Sequence, residues 1–151
     1  MQRPSGTPRL TLMVDPIDTS RLGPVSILHG KQVFVFGANE AGRHGRGSAR
    51  EAVRNWGAIY GQGFGRQGNA FGIPTKDKDL KKLSLVEIAV YVGRFLEYAA
   101  NHQDIEFQVV CIGCGLAAYT PAQIAPMFRG HTPNVRLQGD FVRELVKQRH
   151  K

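Results

Sequence analysis

At 151 residues, 42% of them hydrophobic, the chain holds enough apolar mass for one core and too little for two. A formal charge of +8 favours anionic partners such as nucleic acid, a nucleotide or an acidic surface. Two cysteines cannot build a disulfide framework, and no apolar run is long enough for a signal core or a membrane span, so the expectation is a cytoplasmic protein with no membrane association.

Residues 1–8 carry two prolines and a glycine without periodicity and read as a loose arm. LTLMV, residues 10–14, reads as a first edge strand, and the DPIDTSRLGP that follows is turn-rich. KQVFVFG, residues 31–37, is β-branched and aromatic and reads as a buried strand. Ten of the 18 glycines then fall between Gly37 and Gly72, a local excess that asks for bare backbone. Ser48 with Glu51 three residues on predicts a capping box and a helix through Trp56. The literal G-x-G-x-x-G at Gly63, Gly65 and Gly68 opens no helix, because NAFGIPTK reads as a strand ending at Pro74. It is therefore no dinucleotide fingerprint.

Ser84 and Glu87 form a second capping box, and Leu85, Ile88, Val92, Phe95, Leu96 and Ala99 recur on one helical face. IEFQVVCI, residues 105–112, reads as a strand and GCGLAAYT as a small-residue loop. Thr120, Pro121 and Gln123 open a helix through Phe128, NVRLQ is a last short strand, and DFVRELVKQRHK a frayed basic helix. The domain expected is 9–143, with 144–151 as a basic tail. Alternating strands and helices give an α/β layered domain.

The two conspicuous loops, 37–48 and 112–120, each leave an apolar strand and enter a capped helix. Backbone N–H groups and helix N-termini there would converge on one crevice suited to a phosphate or diphosphate. Gly42-x-x-x-x-Gly47 has P-loop spacing, but Ser48 stands where the lysine belongs, which argues against triphosphate chemistry. Cys111-x-x-Cys114 runs into loop rather than helix, against a thioredoxin-like pair, and the five histidines show no zinc spacing. Cys111 reads as core. No cofactor is expected.

ANEAGRHGRGSA, from Ala38 to Ala49, resembles the first ligand loop of macrodomains, and IGCGLAAY, from Ile112 to Tyr119, resembles their second, diphosphate-embracing loop. IGCGL and the strand end GIPTK are similar to the terminal ADP-ribose protein glycohydrolase branch. From about Lys31 to Phe141 the chain also resembles small uncharacterised macro-like proteins of bacteria and phages. The resemblance implies a macro-like three-layer α/β/α sandwich with a mixed sheet. It also implies ADP-ribose or a related nucleotide as ligand, free or carried on an ADP-ribosylated macromolecule. The ligand contacts it implies are Gly37, Ala38, Asn39, Arg43, His44, Gly45, Gly47 and Ser48 in the first loop, and Ile112, Gly113, Cys114, Gly115, Leu116 and Tyr119 in the second.

By the same resemblance Lys76 matches that branch's lysine nucleophile, while Ala117 occupies the place of its aspartate and Ala118 that of a common glycine. Weak ADP-ribosyl hydrolase activity would then use Lys76, with Asn39 or His44 orienting the ribose or a water. Read from the residues alone, Asn39 is a ligand contact or a turn residue, and Arg43 and His44 meet phosphate or water. Ser48 is a cap rather than a nucleophile beside His44, and Tyr119 stacks on a ligand or packs as core. The alternative function is a basic nucleic-acid-binding or phage-associated accessory protein holding phosphates through its net charge.

Overall fold

The computed structural model describes residues 31–115 and 117–149. The expected arm at 1–8, the LTLMV strand and Leu116 lie outside these. Strand β1, Gln32–Asn39, leads through a glycine loop into helix α1, Gly47–Trp56. A hairpin of β2, Gly65–Gln67, and β3, Ala70–Lys76, follows, then helix α2, Leu85–Ala100, and strand β4, Glu106–Val109. The chain closes with α3, Pro121–Ile124, a 3-10 turn at Ala125–Phe128, strand β5, Val135–Leu137, and helix α4, Gly139–Arg149.

The sheet order is β2-β3-β1-β4-β5. β1 pairs in parallel with β3 and β4, β4 in parallel with β5, and only the hairpin is antiparallel. This is an α/β fold with a mixed sheet. Alternation along β1 sends its residues to two cores. Val33 and Val35 join Phe71, Ile73, Phe107 and the α2 residues Ile88, Val92, Phe95 and Ala99. Phe36 and Ala38 join Ala49, Ala52 and Trp56 of α1 on the opposite face. Helices thus cover both faces in three layers. Each fully buried phenylalanine contributes about 1.5–3 kcal/mol of burial, set against the entropy of ordering the chain.

The α2 capping box is present as expected: Glu87 N–H donates to Ser84 Oγ at 3.2 Å and Ser84 N–H to Glu87 Oε1 at 2.9 Å. The box expected at Ser48 is not. The helix starts two residues earlier, with Arg46 at the N-cap and Gly47 in left-handed backbone at φ 56, so Ser48 sits inside the first turn and no side chain caps the end. β3 does not end at Pro74. It runs on to Lys76, because β2 pairs only Ala70–Gly72 and Pro74 lies past that pairing, where a missing N–H is tolerated.

β4 stops at Val109, short of the expected residue 112, because the chain turns there, with Ile112 N–H donating to Val110 O at 2.7 Å. The helix expected through Phe128 tightens to 3-10 where Pro126 cannot donate, and the Ala122 carbonyl instead accepts from Gln148 Nε2 at 3.4 Å. The boundary expected at 143/144 falls inside α4, whose Phe141 is buried and whose Leu145 packs on the same core. No helix among the described residues is long and apolar enough to cross a membrane.

Candidate functional site

The loops leaving β1 and β4 run to opposite sides of the sheet, α1 returning the chain toward β3 and α3 toward β5. Neighbouring strands whose loops diverge leave a crevice at their carboxyl ends. It is a cavity of about 770 Å³, a size usual for a small-molecule site.

Asn39 ends β1 and shapes the first wall. Its Nδ2 donates to Arg43 O and its Oδ1 accepts from Arg43 N–H, both at 2.9 Å, so one side chain closes the turn 39–43 as a strand partner would. The loop 57–63 lies against this turn backbone to backbone. A Cβ on Gly42 would stand 2.3 Å from Gln62 N, and one on Gly63 would stand 2.3 Å from Asn39 O. Gly61 N–H donates to Gly42 O at 2.8 Å. These glycines serve loop-to-loop contact. Gly45, Gly47 and Gly115 differ: a Cβ there meets nothing within 4 Å, and all three line the cavity with their backbone bare.

His44 is the pin beneath this arrangement. It is 2% exposed, its Nε2–H donates to Gln62 O at 2.8 Å, and its ring meets Phe36 edge-on at 5.1 Å. Its Nδ1 has no partner among the described residues. His44 therefore faces inward and does not line the cavity, contrary to its expected role on ribose or water. Glu40 ties the same turn to α2 by accepting from the Tyr91 hydroxyl at 2.6 Å. That bond, with burial and the Glu40 charge, pushes the hydroxyl up to about 12.

The second wall is Val110, Cys111, Ile112, Gly113, Gly115 and Ala117, with Gln138 behind it accepting from Cys111 N–H at 2.7 Å. Gly113 has φ 77, and a Cβ there would press Ile124 Cδ1 at 3.2 Å. Burial holds both thiols above the usual range. The Asp140 charge adds to this at Cys111, and the Cys111 and Asp140 charges add to it at Cys114, which is pushed up to about 11. Both are held toward the neutral thiol, the less nucleophilic form. No group of three or more metal-ligating side chains occurs among the described residues.

Of the residues expected from sequence, Gly37, Ala38, Asn39, Arg43, Gly45, Gly47, Ser48, Lys76, Ile112, Gly113 and Gly115 line this one cavity. Cys114 does not, and packs partly buried against the main core. Tyr119 does not either: its hydroxyl donates to Leu83 O at 2.5 Å and its ring lies under Lys82. Cys111, expected as core, is half-buried and lines the cavity. Sequence reasoning missed Arg46, Ala49, Tyr60, Thr75, Leu80, Val110 and Gln138. Arg46 and Ala49 lie inside the first motif itself, between and beside residues already taken as contacts. Tyr60 and Leu80 arrive on loops that only the fold brings to the site.

Charge gives the cavity its chemical character. Arg43, Arg46 and Lys76 line it, and no carboxylate among the described residues does. The N–H groups of Gly47, Ser48 and Ala49 at the uncapped start of α1 have no partner among the described residues, nor do those of Gly113, Gly115 and Ala117. Cations and free N–H donors around a space without acceptor charge select an anion with several oxygens.

A solved structure of a protein of unknown function from Bacteroides thetaiotaomicron shares this fold with a TM-score of 0.54. It is 14% identical, and the match covers 82% of this chain and 94% of that one. At that identity the likeness speaks for the fold alone. No family model and no curated protein matches the sequence.

Proposed function

We propose that the protein is a macrodomain-like binder of ADP-ribose or a related nucleotide, with the diphosphate against the start of α1 and the loop 112–117. The observation that carries this reading is a cavity of about 770 Å³ lined by Arg43, Arg46 and Lys76 and, among the described residues, by no carboxylate. Three cations offset about two phosphate charges with one to spare, and the free N–H groups of two loops supply directional donors. The ligand is free or carried on an ADP-ribosylated macromolecule, and the activity is binding or, at most, slow hydrolysis. Two unpaired cysteines support a reducing compartment, the cytoplasm.

Calorimetry with ADP-ribose, AMP, NAD and cyclic ADP-ribose tests the reading on the wild type and Gly115→Val. The new side chain would project into open space, so the protein still folds while the diphosphate loses its approach to the backbone. Affinity should fall at least tenfold, about 1.4 kcal/mol. Unchanged affinity in the folded variant takes the ligand out of this cavity. Binding that collapses with salt and does not separate ADP-ribose from inorganic phosphate would favour a non-specific nucleic-acid binder instead.

A further inference from the structure

Two apolar side chains line the cavity in an unusual state. Tyr60 is 65% exposed and Leu80 is 44% exposed, yet the backbone beneath each is fixed. Ile59 N–H donates to the buried Gln67 Oε1 at 2.8 Å, Gly61 N–H to Gly42 O, and the Gln62 carbonyl accepts from buried His44. Tyr60 thus stands on a segment held on both sides while its own hydroxyl has no partner among the described residues. Its ring is also set edge-on to His44 at 6.2 Å. Leu80 has φ 66, a left-handed conformation that leucine rarely adopts. Asp77 holds the turn around it: its Oδ1 accepts from Asp79 and Lys81 N–H, and its carbonyl from Leu80 N–H. Strained backbone that keeps an apolar side chain in water is a feature found at ligand sites.

We propose that Tyr60 is the stacking platform for a planar heteroaromatic base, with Leu80 as the second apolar wall, and that this pair selects nucleotides over other phosphate esters. The inference rests on the reading of the cavity as a nucleotide site and adds the residues that recognise the base. A rigid aromatic presents its face at small entropic cost, and stacking on it is tolerant of which base is bound. The cations and free N–H groups described above supply the phosphate half; among the described lining residues no other offers a flat apolar surface. With this pair the site distinguishes a nucleotide from a sugar phosphate of equal charge.

The test compares ADP-ribose and AMP with ribose 5-phosphate and pyrophosphate by calorimetry on the wild type, Tyr60→Phe, Tyr60→Ala and Leu80→Asn. Tyr60→Ala should weaken ADP-ribose and AMP at least tenfold and leave ribose 5-phosphate and pyrophosphate within twofold, whereas Tyr60→Phe keeps wild-type affinity. Leu80→Asn suits the left-handed backbone, so its thermal midpoint should hold or rise while nucleotide affinity drops. Equal loss on all four ligands, or no loss on any, overturns the platform while leaving the cavity as an anion site. A wild type that binds neither nucleotide overturns the nucleotide reading itself and the platform with it.

Discussion

Ala118 has φ 64, where an L-residue is strained by roughly 1–2 kcal/mol. It is the position at which the sequence resemblance expects glycine, so the backbone asks for what the residue only tolerates. Its neighbours in the second loop carry a testable electrostatic state. Burial, with the Cys111 and Asp140 charges, raises the Cys114 thiol from near 9 to about 11, and Cys111 is raised by burial and Asp140. For a group whose folded pKa is raised, the neutral thiol is the form the fold favours. The contribution is complete below the unfolded value and is lost as pH climbs through the folded one, a window from about 9 to about 11. We therefore expect slow alkylation of both cysteines at pH 7.5, and urea midpoints that decline through that window less steeply in Cys114→Ala than in wild type. Alkylation at the speed of a free thiol would show that neither cysteine is held above the usual range.

At the scale of elements, the bare start of α1 sets stability against binding. Ser48 lies in its first turn, no acidic residue is present there, and nothing caps it. An aspartate in that turn interacts favourably with the helix dipole, worth about 0.3–1 kcal/mol, but it also brings a carboxylate to the anion's place. Ser48→Asp should hold or raise the thermal midpoint while weakening ADP-ribose at least tenfold. Calorimetry and thermal melts on one preparation decide it, and unaltered affinity would place the phosphate elsewhere. The elements that were legible from sequence are those with local causes: β1 from its apolar run, α2 from its capping box and stripe, and β3 from its apolar run, whereas β2 falls in the stretch after Trp56 where glycines masked a strand. Non-local contacts decide the rest. Ser48 fails to cap because Gly47 turns left-handed. His44 points inward because the loop 57–63 receives it, and α4 persists past residue 143 because Leu145 and Gln148 find partners on the core and on α3.

Taken as a whole, the molecule gathers its candidate site at one end of the sheet, where β1, β3 and β4 deliver Asn39, Lys76 and the loop 110–117 to a shared cavity. Motif order in the sequence made that convergence legible; the inward turn of His44 and the arrival of Tyr60 and Leu80 were not, since they depend on loops meeting in space. The same convergence bears on turnover. Lys76 and Ala117 line one cavity to which the described residues bring no carboxylate. Asp77, the nearest carboxylate in sequence to Lys76, spends its Oδ1 on the N–H groups of Asp79 and Lys81. A positioned general acid or base supplies about 10²–10⁴-fold in rate, so a lysine without one should turn over little. The assay follows release of ADP-ribose from a protein modified on glutamate or aspartate, with wild type, Lys76→Ala and Ala117→Asp. Wild type should release almost nothing, and Ala117→Asp should gain activity that Lys76→Ala in the same background removes. Rapid release by wild type that Lys76→Ala abolishes would instead make the protein an enzyme that completes its chemistry without a carboxylate in the cavity.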